Sequence, residues 1–482
     1  MKHILSILLF AFVACTTAMA QNISSELLQK AQSGDAQAQF EVGKYYDNAK
    51  DYTKALEWYR KSADQGNASG QNSLGVCYNN GNGVNQDYVK AVELFRKAAE
   101  QGYAQAQCNL GTCYAKGYGV TQDYSKAVEW YRKAAEQGHA QAQCNLGISY
   151  EYGRGVAKDI AKAVEWYRKA VEQGYAQAQG RLGICYENGR GVTQDYGKAL
   201  ELYQNAANQG NVDAQLMTGI FYFSGLGVTK DYAKAVEWFR KAANQGNADG
   251  QCILGYCYYV GVGVPKDYVK ALELLKKAAD QGLPMGQCDL GRCYEKGHGV
   301  SQDYTKAAEL YRKSADQGCA QAQHNLGICY YNGKGVRKNY STAVEWFRKA
   351  AEQGYASAQK LLGDCYKYGY GVSKDESKAA EWYRKAEEHK DENSQINLSI
   401  TYYEVGEQQF KEENYSEAFK NLKAAAESQI NPIPQAMTLL AGCYEYGYGI
   451  SVDLDKARHW REEAAKYNDE DAKRAMEILS PF

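Results

Sequence analysis

A unit of 36 residues recurs from Asp51, with new starts at Asp87, Asp123, Asp159, Asp195, Asp231, Asp267, Asp303 and Asn339 and no insertion until Asp375. A unit this small cannot bury its own apolar face. Neighbouring units must therefore stack on one another, and a fixed period of this size predicts a solenoid rather than a globule.

Each unit holds two helical patterns, seen in the stretch DYSKAVEWYRKAAEQGHAQAQCNLGISYEYGRGV that starts at Asp123. In the first, Asp123 is the N-cap. Ala127, Tyr131, Ala134 and Ala135 line one apolar face, while Glu129 and Lys133 sit on the wet side at the favourable i, i+4 spacing. Gly138 stops that helix. The second runs from Ala140 to Tyr152 with Leu146, Gly147 and Tyr150 inward, and a side chain at Gly147 is expected to wedge the packed pair apart. Gly153-Arg154-Gly155-Val156 then turns the chain, because glycine admits the dihedrals the turn needs, and Val156 tucks under the next helix.

Only five prolines occur in 482 residues, so the body is expected to be helical throughout. The 56 Lys and Arg nearly cancel the 57 Asp and Glu, which leaves no basic excess for nucleic acid. At the N-terminus, Lys2 and His3 precede an apolar run from Ile4 to Val13 and then Ala18-Met19-Ala20, the pattern of an export signal cleaved after Ala20. That run is too short to span a bilayer, and no later segment reaches the ~18 apolar residues a spanning helix requires. Phe12-Val13-Ala14-Cys15 matches a lipoprotein box imperfectly, with Phe12 where Leu is usual, and leaves a lipid anchor at Cys15 as the alternative. The expected organisation is a signal peptide over 1–20, an N-terminal half repeat or cap over 21–50, and nine units over 51–374. Units of longer period then occupy 375–452 and capping helices 453–482. The mature chain is expected to be a monomer, periplasmic or extracellular.

The succession Ala-x-Ala-Gln-x-x-Leu-Gly-x-x-Tyr, Gly-x-Gly-Val and Asp-x-x-Lys-Ala-x-x-Trp-Tyr-x-Lys-Ala-Ala-x-Gln-Gly resembles the Sel1-like repeat family, a relative of tetratricopeptide repeats, from Asp51 to Lys374. The resemblance implies an all-α, α/α superhelical solenoid and a non-catalytic adaptor that takes a peptide or protein segment in a concave groove. It further implies that bacterial exported members mediate protein contacts, including contacts with host cells. Two stretches depart from the pattern. FEVGKYYDNAKDYTKA and YYEVGEQQFKEENYSEAFKNLKAAAE lack the Gly-x-Gly-Val loop and have tetratricopeptide-like spacing. One more family-type unit, GCYEYGYGI, follows the second.

Cysteines recur in pairs, Cys108 with Cys113, Cys252 with Cys257 and Cys288 with Cys293. On a helical wheel Cys113 falls on the inward face beside Leu110 and Tyr114, and Cys108 lies about 140° away. Thiols so placed point apart and cannot bridge, and helix packing distances of ~8–10 Å also disfavour a ladder between units. The inward position is Cys at 77, 113, 185, 257, 293, 329, 365 and 443, with Ser149, Thr401 and Phe221 as substitutes, which marks mainly a small packing slot. Disulfides described in secreted relatives pair at positions that do not match these. No Cys-x-x-Cys occurs and the six histidines form no ligand spacing, so neither metal nor cofactor is expected. Most thiols are expected to be free, with Cys108, Cys144, Cys252 and Cys288 exposed to oxidants.

The outward stripe of the second helix varies from unit to unit and supplies the candidate groove. It comprises Ile148, Tyr152, Ile184, Ile220, Phe223, Tyr256, Tyr259, Arg292, Glu295, His324, Tyr331, Lys360, Asp364 and Tyr368. Phe223, Tyr256 and Tyr259 are the expected aromatic anchors, with flanking charges of mixed sign setting register. Ser357-Ala358-Gln359-Lys360 matches Ser-x-x-Lys but lacks its companion motifs, and the Gly-x-Gly-Val loops lack the strand and lysine of a phosphate cradle. Catalysis is not expected. A cell-wall-ligand or β-lactam-binding protein and a structural spacer without a specific ligand remain the alternatives.

Overall fold

The computed structural model describes residues 23–387, 392–428 and 432–467, with the backbone alone for 387 and 392–397. The expected signal peptide, the Cys15 box and the last part of the C-terminal cap lie outside the described residues. Twenty-five helices and no strand occur among the described residues, which makes the protein an all-α solenoid of consecutive hairpins. It divides into two compact units, Met1–Trp238 and Phe239–Phe482.

The local code is the same in both units. A leading helix such as Tyr124–Glu136 starts at Asp123, whose carboxylate accepts the Lys126 backbone N–H at 3.0 Å and faces the Lys126 ammonium at 3.5 Å. The bond from that backbone N–H is the main reason the Asp123 carboxyl titrates below its ordinary range. Its apolar face buries Ala127, Tyr131, Ala134 and Ala135, as the spacing predicted, and Val128 with them. Glu129 and Lys133 are exposed, but Lys133 lies 4.2 Å over the Trp130 ring.

A trailing helix such as Ala140–Tyr152 follows and ends at Gly153, which is left-handed with φ 69°. The loop closes when Asp159 N–H donates to the Tyr150 carbonyl at 2.9 Å. Gly155 shows why this loop is written with two glycines: at φ 72°, a Cβ would lie 2.2 Å from the Tyr124 carbonyl oxygen of the preceding leading helix. The loop therefore rests directly on that backbone. Gly147 has the packing role expected of it, and its partner is the helix that follows: a Cβ there would meet the Tyr167 ring at 2.6 Å and the Ala163 carbonyl at 3.1 Å.

Where the Gly-x-Gly-Val loop is missing, a single non-glycine residue closes the turn in the left-handed region. Lys50 (φ 60°) joins Ala36–Asn48 to Tyr52–Asp64, and Glu413 (φ 63°) joins the 20-residue helix Glu392–Lys411 to Tyr415–Ala426.

Two polar ladders join successive 36-residue repeats within the N-terminal unit. The first is made by glutamines. Gln107 on one trailing helix donates to the Ala99 carbonyl at 3.1 Å and accepts from Gln137 at 2.8 Å, and Gln143 repeats the pattern with Ala135 and Gln173. These side chains are buried, so each bond replaces one that water would otherwise supply. The second ladder accounts for many of the 42 tyrosines. Tyr150 receives a hydrogen bond from Arg132 at 3.2 Å, and Lys162 sits 5.8 Å over its ring. Tyr114, with Arg96 and Lys126, and Tyr186, with Arg168 and Lys198, are held the same way.

Candidate functional site

The thirteen-residue trailing helices repeat in register, so equivalent positions form columns along each compact unit. The structure assigns those columns different surroundings.

The fifth position is a seam, and here an expectation is overturned. Cys108, Cys144, Cys252 and Cys288 are buried at 0, 0, 4 and 0% exposure and are not open to oxidants. The wheel that placed them outside considered one packing partner. In the array, successive trailing helices also touch each other: Asn145 Nδ2 donates to Cys108 Sγ at 3.8 Å and Asn325 Nδ2 to Cys288 Sγ at 3.7 Å. Burial pushes the Cys108 and Cys144 thiols up to about 12. The inward cysteines 77, 113, 185, 257, 293, 329, 365 and 443 are all buried, and all thirteen described cysteines are free thiols.

His324 and Lys360 occupy this same fifth column. His324 is buried at 9% exposure between Tyr355 and Phe347, with ring centroids at 5.1 and 6.1 Å. Its Nδ1 has no hydrogen-bond partner among the described residues, and burial lowers its pKa to about 4. The sign follows: the unfolded chain takes up a proton near pH 6.5 while the folded chain resists until about pH 4, so stability falls as pH drops through that window. Urea melts of the wild type are expected to lose about 2 kcal/mol of His324-dependent stability between pH 6.5 and 5, a component that His324→Leu removes. Equal pH dependence in both proteins would contradict this. Lys360 Nζ pairs with Asp364 at 3.0 Å, so the ammonium of the Ser-x-x-Lys match is already engaged.

The twelfth position faces the next leading helix. In the N-terminal unit, Phe223 meets Tyr232 edge-on at 5.0 Å. In the C-terminal unit, Tyr259 meets Tyr268 at 5.3 Å and Tyr331 meets Tyr340 at 5.0 Å. Burial raises the pKa of both Tyr259 and Tyr331, the latter to about 12. A glutamate at this position accepts a tyrosine hydroxyl instead: Glu151 from Tyr167 at 2.6 Å, Glu187 from Tyr203 at 2.6 Å and Glu295 from Tyr311 at 2.7 Å. Burial, followed by the carboxylate, raises all three phenols. This ladder escaped the sequence reading, although a Glu sixteen residues before the leading-helix Tyr was its visible signal. Asp364, in the ninth column, does the same for Tyr383 at 2.6 Å.

The ninth and thirteenth positions face outward. In the N-terminal unit they carry half-buried Ile148, Ile184 and Ile220 and the exposed Tyr152, whose hydroxyl accepts from Arg181 at 3.1 Å and whose ring lies 5.1 Å from the Arg154 guanidinium. In the C-terminal unit they carry Tyr256 at 41% exposure, Tyr368 at 58% and Arg292. The Arg292 guanidinium bonds the buried Asp289 carboxylate at 2.9 Å and lies 5.9 Å from the Tyr256 ring and 4.8 Å from Tyr259. His298 Nδ1 meets the Tyr259 hydroxyl at 2.9 Å and its ring stacks on Tyr268 at 4.2 Å, which fixes the orientation of the cluster. Of the fourteen predicted residues, Tyr152, Tyr256 and Tyr368 are the exposed aromatics, whereas Phe223, Tyr259, Glu295, His324, Tyr331 and Asp364 are engaged by residues of the 36-residue repeat that follows.

Among the described residues no group of three or more His, Cys, Asp or Glu is placed to hold a metal ion, and no helix is long and apolar enough to cross a membrane. A family model described as Sel1 repeat matches twelve segments: 36–67, 68–103, 104–139, 140–175, 176–211, 212–247, 248–283, 284–319, 320–355, 356–391, 393–429 and 434–468. Among solved structures, the chain is similar to a protective antigen present in uropathogenic Escherichia coli strains displaying an SLR fold. Identity is 36% over 95% of this chain and 92% of that one, with a TM-score of 0.65. A Sel1 repeat protein from Oxalobacter formigenes is 34% identical over 51% of this chain and 96% of that one, with a TM-score of 0.46. A search of curated proteins gave no match.

Proposed function

The chain belongs to the Sel1 repeat family, and from that premise we propose that it is an exported scaffold holding a peptide or protein segment along its trailing helices. A repeat solenoid of this kind fits a protein-interaction scaffold, because stacking leaves a long surface with a regular residue spacing. The observation that carries the reading is the outward pair of columns, where exposed tyrosines are held by arginines. Tyr152 beside Arg154 and Arg181, and Tyr256 beside Arg292, are amphipathic contacts whose rotamers are already restricted. Side chains fixed before binding lose little entropy on contact, and Tyr with Arg predominates among interface hot spots.

Export rests on Lys2 to Ala20. The similarity to a protective antigen supports a location that molecules outside the cell can reach. Edman sequencing of the mature protein is expected to begin at Gln21; an intact Met1 in the soluble cell fraction contradicts export.

The binding test uses a random-peptide display library panned on the purified mature chain. Selected peptides are expected to lose at least ~10-fold in affinity for the Tyr152→Ala, Tyr256→Ala, Tyr368→Ala triple variant, since truncating each such contact typically costs ~1–2 kcal/mol. The chosen side chains lie on the surface, so the melting temperature should hardly move. Unchanged affinity, or no peptide selected at all, would leave the spacer reading in its place.

A further inference from the structure

One loop corner of the C-terminal unit departs from the repeat at three residues together. In the repeats on either side, the leading helix starts at an aspartate paired with the lysine three residues on, Asp303 with Lys306 at 3.8 Å and Asp375 with Lys378 at 3.0 Å. Those ammonium groups lie 5.4 Å over the Tyr294 ring and 5.6 Å over the Tyr366 ring. At the corner between them Asn339 and Thr342 take the two places, so the ion pair that sits over the tyrosine elsewhere cannot form. Arg337 is the third departure, where the flanking loops have Ser301 and Ser373. The result is a cavity of about 520 Å³ lined by Arg312, Tyr330, Val336, Arg337, Lys338 and Asn339.

Three of those six side chains are cations and none is acidic, and none of the three is ion-paired among the described residues. Two of them are held in place. Arg312, on the leading helix Tyr304–Asp316, donates to the Tyr330 hydroxyl, and the Lys338 ammonium lies 4.7 Å from the centre of the Tyr340 ring. Asn339 caps the helix Tyr340–Glu352 through its side-chain oxygen, which accepts the Thr342 N–H at 3.1 Å, and so puts an amide where a carboxylate would repel an anion. Cations gathered around one cavity repel one another, and an anion that enters relieves the repulsion while it gains charge-assisted hydrogen bonds. Guanidinium groups favour a phosphoryl group in particular, because their planar fork meets two of its oxygens at once.

A second cavity of about 400 Å³ shares Arg312 and Val336 with the first and adds Thr305, Glu309, Lys313 and Asp316 to its walls. Two carboxylates there would repel a ligand that is anionic along its length, but they accept hydrogen bonds from hydroxyl groups. We infer that the corner binds a phosphorylated polyol, with its phosphoryl group among Arg312, Arg337 and Lys338 and its hydroxyls against Glu309 and Asp316. Both cavities have the size of small-molecule sites. They share no residue with the outward columns of the trailing helices, so this site is additional to the peptide surface.

The test is isothermal titration of the full-length chain at low salt with glycerol 3-phosphate, which is expected to fill one site with half-saturation at or below ~1 mM. Inorganic phosphate should compete for that site, glycerol alone should not bind, and added salt should weaken the interaction by screening. Arg337→Gln with Lys338→Gln should lower the affinity at least ~10-fold, because hydrogen bonds to charged groups are lost. Glu309→Ala with Asp316→Ala should weaken glycerol 3-phosphate while inorganic phosphate binds at least as well as before. Asn339→Asp with Thr342→Lys rebuilds the pair that the neighbouring repeats carry, so it should remove binding while the melting temperature holds or rises. Co-sedimentation with phosphatidylglycerol vesicles, lost in the Arg337 and Lys338 double variant, would identify a lipid headgroup as the source of the phosphoryl group. Binding of glycerol 3-phosphate without co-sedimentation would identify a soluble one. Three results would each overturn the proposal: no binding of either probe, binding that survives Asn339→Asp with Thr342→Lys, or a tetraglutamate peptide bound more tightly than glycerol 3-phosphate.

Discussion

Gly155→Ala is expected to destabilise the N-terminal unit by about 3 kcal/mol, from about 1–2 for forcing a side chain into the left-handed region and about 1–3 for overpacking. The conformational part comes from φ 72°. The steric part comes from a Cβ built 2.2 Å from the Tyr124 carbonyl oxygen and 2.3 Å from its carbon, both backbone atoms that no rotamer change can move. Gly153→Ala supplies the control. Its φ is 69°, so the conformational cost is the same, but its Cβ would meet only Lys158, at 3.2 Å or more. Denaturant melts should therefore rank the two variants clearly, with Gly155→Ala the worse. Hydrogen exchange should show the added opening centred on the loop and the Tyr124 end of its leading helix, because a solenoid transmits damage mainly to nearest neighbours. Equal losses for the two glycines would mean that the loop does not seat on the preceding unit.

Tyr167→Ala is expected to cost still more, about 3–5 kcal/mol for emptying a fully buried aromatic site. The ring fills the space that Gly147 leaves open, and its hydroxyl donates to Glu151, a carboxylate 3% exposed whose other oxygen is bound by Arg190 at 3.1 Å. Tyr167→Phe separates the two contributions. It keeps the ring and removes one donor from the buried carboxylate, for which about 1.5–3 kcal/mol is expected. Guanidinium melts of the two variants check the order. A phenylalanine variant as stable as the wild type would mean that the Glu151 bond contributes nothing beyond packing.

Much of the fold was legible because the repeat states each local rule many times. Asp123 with Lys126, the left-handed glycine at 153, the small residue at 147 and the inward Leu146 are each decided within a few residues of chain, and each recurs at the same offset. The inward cysteines were legible for the same reason: a position that alternates among Cys, Ser and Thr reports the size of its slot, and Cys113, Ser149 and Thr401 are all buried. The candidate surface was only partly legible. A helical wheel separates one face from its opposite, which placed Tyr152, Tyr256 and Tyr368 outward, where the structure also places them. It could not tell that Glu295 and Asp364 spend their carboxylates on Tyr311 and Tyr383, since those partners belong to the next unit.

The buried seam marks the division most sharply. Sequence alone determined the period, the helix limits and the family, because hydrogen bonds, caps and glycine dihedrals act over short stretches of chain. Tertiary structure alone decided that Cys108 and Cys288 are enclosed and that His324 is buried with no hydrogen-bond partner for its Nδ1 among the described residues. In a stacked array each trailing helix packs against its leading neighbours and also against the trailing helix of the adjoining unit. How much of its outer face that second contact covers depends on the angle between units, a quantity that no single 36-residue period contains.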